Sequence, residues 1–221
     1  MIQMMNEVTN INDVLGKIIN GDCIGVMKNL PTSSIDLVVT SPPYNCNIPY
    51  DVHKDDLIMD EYWDWTREWL TGVFDLLKDD GRVAINIPYE TNVQERGGRC
   101  LFVSDFWQIM KQVGFKFFEN DKKEFMELVF GQWTYLNDSR PITKATFSMD
   151  IPTKAIKILT FKGDIVLDPF AGSGTSLVAA EILDRNWLGI ELSPNYAEKA
   201  RERVGAFVLE KRQKKIEFEN F

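Results

Sequence analysis

An α/β fold, with a mostly parallel twisted sheet covered by helices on both faces, is what this chain predicts, and three observations carry the prediction. Apolar strands alternate with stretches of helical periodicity, the pattern of repeated strand-helix-strand units. Two of those strands run straight into turns rich in chemistry, Ile35-Asp36-Leu37-Val38-Val39 into Thr40-Ser41-Pro42-Pro43-Tyr44-Asn45 and Ile165-Val166-Leu167-Asp168 into Pro169-Phe170-Ala171-Gly172-Ser173-Gly174-Thr175. With 221 residues, 44% of them hydrophobic and 26% charged, the chain can bury one sizeable core, so a single domain over residues 1–221 is expected.

Taken in order, Gly16 to Asp22 reads as a strand ending in an acid, followed by a short helix through Val26 and Leu30. Ile35 to Val39 is a central strand. Across residues 57–78 the apolar side chains Ile58, Tyr62, Trp65, Trp69, Val73 and Leu76 recur at helical spacing, and the tryptophans are expected to face the core. Gly81 to Pro88 is the next strand. A helix follows from Ser104 to Val113, stopped by Gly114, and Phe115 to Phe118 begins another strand. Lys154 to Thr160 is a helix feeding the strand that ends at Asp168. Asn186 to Ile190 is a further strand, and a closing helix runs from Pro194, well suited to a first turn, to about Lys211.

The first turn suits a planar amine. Two successive prolines offer carbonyl acceptors without N–H donors and hold the backbone stiff, with a polar residue before them and an aromatic one after. A bare Pro-Pro pair is also explained by a rigid turn alone. The second turn changes the weighing. A strand delivers Asp168, a glycine-rich turn opens a helix, and the next strand presents Glu191, an acid placed to suit the two hydroxyls of a ribose. No Lys follows the glycines, which disfavours a phosphate-binding P-loop.

Together, Ser41-Pro42-Pro43-Tyr44 and Asp168-Pro169-Phe170-Ala171-Gly172-Ser173-Gly174-Thr175 resemble the DNA amino-methyltransferases, which methylate exocyclic nitrogens using S-adenosylmethionine. The resemblance runs from about Lys17 to Arg203, and the catalytic motif precedes the cofactor motif, the order of the circularly permuted beta class. It implies a Rossmann-like S-adenosylmethionine-dependent methyltransferase fold. It implies catalytic roles for Ser41, Pro42, Pro43 and Tyr44, with Tyr44 stacking on a flipped-out base. It implies cofactor contacts from Asp22, Cys23, Thr40, Asp168, Phe170, Ala171, Gly172, Ser173, Gly174, Thr175, Glu191 and Leu192, and more loosely from the segment Phe147-Ser148-Met149-Asp150. The N-terminal strand is expected beside the strand of Glu191, bringing Asp22 to the adenine amine of the cofactor; read without the resemblance, Asp22 is a turn residue. Ser at the first catalytic position resembles the cytosine-N4 enzymes, and Asp there is more usual in adenine-N6 enzymes. Double-stranded DNA is the implied partner, with a homodimer and a cognate restriction endonuclease left open. Methylation of RNA or a protein amide, and a non-catalytic DNA-binding relic, are the rival readings.

One departure from the family stands out. Only about thirty residues separate Asn120 from Phe147, too few for the usual target-recognition segment, which is expected to be reduced or missing near 119–146. A reduced enzyme, or residues omitted between Asn120 and Asp121, would each account for it; omission is preferred because DNA-binding loops are often flexible without DNA, and missing basic residues would also ease the charge balance. That balance, net −8, has the wrong sign for gripping phosphates, so a local asymmetry is expected. Glu61, Asp64, Glu68, Asp75, Asp79 and Asp80 gather the negative charge; Arg96, Arg99, Lys122, Lys123, Arg140 and Lys144 are the candidates for a DNA face. The basic run from Lys211 to Lys215 reads as a solvated helix end. Three widely spaced cysteines, Cys23, Cys46 and Cys100, argue against a disulfide framework and for a cytoplasmic protein, and with His53 as the one histidine a zinc site is not expected. No stretch is apolar enough to span a bilayer and no signal peptide is read at the start, so no membrane is expected.

Overall fold

The computed structural model describes residues 7–48, 51–52, 55–88, 91–93, 98–100, 102–116 and 148–219. In chain order the elements are β1 (Lys17–Asn20), α1 (Cys23–Met27), β2 (Ile35–Thr40), α2 (Met59–Leu76), β3 (Leu77–Ile85), β4 (Thr91–Val93), β5 (Gly98–Cys100), α3 (Phe102–Val113), α4 (Asp150–Leu159), β6 (Ile165–Asp168), α5 (Thr175–Ile182), β7 (Asn186–Glu191) and α6 (Pro194–Glu219).

Five strands form one parallel sheet in the order β1-β7-β6-β2-β3, and β4 pairs antiparallel with β5 as a separate hairpin. The strands alternate their faces as the period of two requires. Leu37, Val39, Val166 and Trp187 pack with Ile156 of α4, Leu177 of α5 and Ala200 of α6. Val38, Leu167, Leu188 and Ile190 point the other way, into a core built on Met27 of α1, Trp69 and Val73 of α2, and Phe102 and Phe106 of α3. Each face is thus sealed by three helices, which explains why the strands read as near-continuous apolar runs.

Several boundaries differ from the sequence expectation for identifiable reasons. β3 begins at Leu77, four residues early, because Leu77 pairs with Ile35 before Lys78 to Gly81 loop out and regular pairing resumes at Leu37 with Arg82. α4 begins at Asp150 rather than Lys154, with Pro152 accommodated in its first turn, where no intrahelical N–H bond is lost. α6 runs to Glu219, well beyond Lys211. Ile58, assigned to the buried stripe of α2, is 55% exposed at the position before that helix. Phe115 and Lys116 belong to no strand, and residues 117–118 lie outside the described set. So do the whole of 119–146, His53, Arg96, Lys122, Lys123, Arg140 and Lys144, and the side chains of Arg99 and Cys100. Cys23 and Cys46 are free thiols. No described helix is long and apolar enough to cross a membrane, and the described residues hold no cluster of His, Cys, Asp and Glu able to bind a metal ion.

Candidate active site

The chain leaves β6 through α5 toward β7 on one side and leaves β2 through α2 toward β3 on the other, so the neighbouring carboxyl ends of β6 and β2 form the point where the connections diverge. Crevices of this kind are where open α/β sheets take their ligands. Both motif turns end here. A cavity at this edge is lined by Ser41 and Pro43 from one turn and by Pro169, Phe170 and Gly172 from the other. Asp22 and Cys23 reach it from the start of α1, and Glu191 and Leu192 from the end of β7, as β1 lies beside β7 in register from Lys17 with Leu188 to Asn20 with Glu191.

Several lining groups are fixed by local devices. Asp22 caps α1, its carboxylate accepting from Gly25 N at 2.8 Å. Glu191 accepts from Gly172 N at 2.7 Å and Ser193 N at 2.8 Å, so the strand-end acid and the glycine turn are held as one unit. Burial raises its carboxyl above the ordinary value, opposed by those two donors. Gly172 has φ 52°, and a Cβ placed on it would meet nothing closer than Phe170 O at 3.9 Å, so the turn presents open space to the cavity. The Phe170 ring is backed by Trp65 and Trp69, with centroids at 5.6 and 5.2 Å. Trp69 is fully buried as expected, whereas Trp65 is half-buried and lines the cavity. Burial also pushes the Cys23 thiol up, which leaves it a neutral apolar contact.

Other residues of the two motifs lie behind the cavity wall. Asp168 is buried between the turns, accepting from Thr40 Oγ1 at 2.7 Å, Phe170 N at 3.0 Å and the Ser176 hydroxyl. Its carboxyl is pushed up to about 6 by burial, with these donors opposing. Ala171 is buried and donates its N–H to Ile190 O at 2.9 Å. Ser173 and Thr175 turn toward α6, where Arg203 donates to Ser173 Oγ at 3.1 Å and to Thr175 Oγ1 at 3.0 Å. Gly174 sits at φ 76° as the residue before α5. Pro42 is buried, and the Pro43 carbonyl accepts from Tyr62 of α2 at 2.8 Å. Within the segment Phe147 to Asp150, Phe147 lies outside the described residues and Ser148 Oγ accepts from Asp150 N at 3.3 Å.

Three residues with no motif around them also belong to this site. Asp55, 3% exposed, gathers the turn after Tyr44 by accepting from Asn45 N, Cys46 N and Ile48 N at 2.7, 3.0 and 3.1 Å. Asn86, just beyond β3, bonds Tyr44. Asp51 accepts from the Ser193 hydroxyl at 2.6 Å and adds a third carboxylate to the cavity beside Asp22 and Glu191. Isolated acids and amides carry no spacing signal; an acid near a Pro-Pro turn is the most the sequence offers.

Fold and site together define an open α/β protein whose two motif turns share one cavity at a topological switch point. The DNA methylase family model covering N6 and N4 enzymes matches residues 35–139 and 119–202, and the chain belongs to that family. Type II methyltransferase M.MjaVI of Methanocaldococcus jannaschii is 41% identical over 117 residues, which cover 53% of this chain and 55% of that protein. M.HpaI of Haemophilus parainfluenzae is 27% identical over 85% of this chain and 74% of its own length. Among solved structures, TTHA0409 of Thermus thermophilus superposes with a TM-score of 0.65 at 26% identity, covering 87% of this chain and 95% of that one, and it has also been crystallised with S-adenosyl-L-methionine. The cytosine-N4-specific PvuII DNA methyltransferase shares the fold at a TM-score of 0.63 and 19% identity, over 88% of this chain and 95% of its own.

Proposed function

We propose that this chain transfers a methyl group from S-adenosylmethionine to the exocyclic N4 amine of cytosine in double-stranded DNA. The observation that carries the reading is the shared cavity: Ser41 and Pro43, from the amine-accepting turn, line the same space as Gly172 and Glu191, from the nucleoside turn.

The residues present fit the cofactor. Gly172 offers an open approach to backbone, Glu191 an acid at a strand end, and Phe170 an aromatic wall. Asp22, Asp51 and Glu191 make the wall acidic, which opposes a nucleotide phosphate and favours a ligand bearing a sulfonium and an ammonium. Held by Asp22, Phe170, Gly172 and Glu191, S-adenosylmethionine would supply an electrophilic methyl to the amine nitrogen, its S–CH3 bond breaking as the N–C bond formed, and the surplus proton would leave the nitrogen for solvent. The chain's own part is to position and polarise. An aromatic amine is a poor nucleophile while its lone pair is delocalised into the ring; Ser41 Oγ, on the cavity wall, accepts an N–H bond and favours a more tetrahedral nitrogen, and Pro42, buried behind that wall, would reach the amine through its backbone carbonyl alone. The Pro43 carbonyl is already held by Tyr62, whose phenol burial pushes up and keeps protonated as a donor. Rotating the base out of the duplex costs a few kcal/mol, offset by stacking and by these contacts.

Cytosine is preferred over adenine because the first catalytic residue is Ser41, the position at which the chain resembles the cytosine-N4 enzymes. Incubation of the chain with duplex DNA and S-adenosylmethionine, followed by mass spectrometry of the nucleosides, is expected to reveal N4-methylcytosine. N6-methyladenine alone would overturn the choice of base, and no methylated nucleoside at all would overturn the reading.

A further inference from the structure

The Tyr44 phenol is held by hydrogen bonds whose bookkeeping determines which way Ser41 points its proton. The phenol oxygen lies 2.9 Å from the Asn86 backbone carbonyl, 2.8 Å from Asn86 Nδ2 and 2.5 Å from Ser41 Oγ. A carbonyl oxygen can only accept, so the single phenol proton goes to Asn86 O. An amide nitrogen can only donate, so Asn86 Nδ2 takes one of the two phenol lone pairs. Among these three contacts one lone pair remains, on the side of Ser41, and the Ser41–Tyr44 contact closes when the Ser41 hydroxyl is the donor.

We propose that Tyr44 and Asn86 commit the Ser41 proton away from the cavity, leaving Ser41 a pure acceptor toward an incoming amine, so that Tyr44 is a positioning residue through its oxygen and not through its ring alone. The inference rests on the amine-methylating reading above and deepens it. A serine hydroxyl free to rotate can donate to the amine nitrogen and occupy the lone pair that has to form the new bond. With its proton committed, Ser41 can only accept N–H, which raises electron density on the nitrogen. Asn86 is itself pinned to the residue before Ser41, its backbone N–H donating to Thr40 O at 2.9 Å. Its Nδ2 is 3.4 Å from Ser41 Oγ, a much weaker contact than the one with the phenol, so Ser41 keeps acceptor capacity for the cavity it lines.

Tyr44→Phe tests this directly, because it keeps a ring able to stack and removes only the oxygen. Single-turnover methylation at enzyme excess is expected to slow about tenfold, with KM for DNA and Kd for S-adenosylmethionine changed less than about threefold. In a Ser41→Ala background the same substitution is expected to change the rate less than about twofold, since there is no proton left to direct. A Tyr44→Phe variant working at the native rate would overturn the proposal and leave stacking as the whole role. An equal loss in both backgrounds would overturn it as well. A native protein that methylates nothing fails the preceding reading instead, and the two failures are thereby told apart.

Discussion

Asp168 carries a carboxylate into the interior, where it knots the two motif turns together. Thr40, the last residue of β2, and Phe170 N both donate to Oδ1, and Ser176 of α5 donates to Oδ2. Burial pushes its carboxyl from the ordinary 3.8 up to about 6, so the folded state holds this proton more tightly than the unfolded chain does. The stability this gives is therefore fully present below about 3.8 and is lost as pH rises through about 6. At neutral pH the ionised group costs on the order of 1–3 kcal/mol. Asp168→Asn removes the titration and keeps one acceptor, so its stability relative to the native chain is expected to improve between pH 4 and pH 7 by roughly that amount. Urea unfolding of both proteins at the two pH values measures it, and a difference that does not vary with pH would sink the assignment. The sequence could not separate this role from a cofactor contact, since both put an acid at the end of a strand. In the structure its partners are the two turns and α5, and Thr40 is 128 positions away in the chain. Asp55 and Asn86 were illegible for the same reason: their function comes from what the turn after β2 brings to them, and no spacing encodes that.

Among the elements, the strands and the two long turns were legible because periodicity and motif agreed, while β1 lying beside β7 was implied by the family resemblance alone. The hairpin of β4 and β5 was not, as three residues per strand are too few for an alternation to register. The passage from β6 to α5 shows where element geometry constrains the site most. Gly174 adopts φ 76°, and a Cβ there would stand 3.0 Å from Val204 Cγ2 and 3.4 Å from Ala200 Cβ, both on α6. Substituting Gly174→Ala thus meets a left-handed backbone and a packed helix at once. The expected loss is about 1–3 kcal/mol of stability. S-adenosylmethionine affinity should fall as well, because moving α5 away from α6 drags Gly172 and the Glu191 contact with it. Thermal unfolding and titration calorimetry read the two effects. Gly172→Ala, with φ 52° but open space at its Cβ, should spare packing more and cofactor affinity less.

For the molecule as a whole, carboxylates stand at both ends of the sheet. Asp75, Asp79 and Asp80 are exposed where α2 passes into β3, at the amino end of the strands, while the cavity opens at the carboxyl end. Earlier in α2, Asp64 pairs with Arg67 at 2.8 Å and Glu68 with Lys28 at 3.0 Å, which neutralises part of its exposed face. At about 10 Å of screening length the acids at the amino end contribute little to a duplex approaching the carboxyl edge, so the negative charge it meets there is that of Asp22, Asp51 and Glu191 around the cavity. Arg96 and Arg99 are candidates for the cations that would meet the phosphates, the latter paired with Asn92 across the β4-β5 hairpin. If both arginines contact phosphate, each adds about 0.9 to the slope of log affinity against log salt. Arg96→Ala with Arg99→Ala should therefore flatten that slope by roughly 2 and weaken cognate and unrelated duplexes alike, with the methylation rate at saturating DNA little changed. Anisotropy titrations between about 50 and 200 mM salt decide the matter: an unchanged slope would move the DNA face elsewhere, and a loss confined to the cognate duplex would make these residues readers of bases.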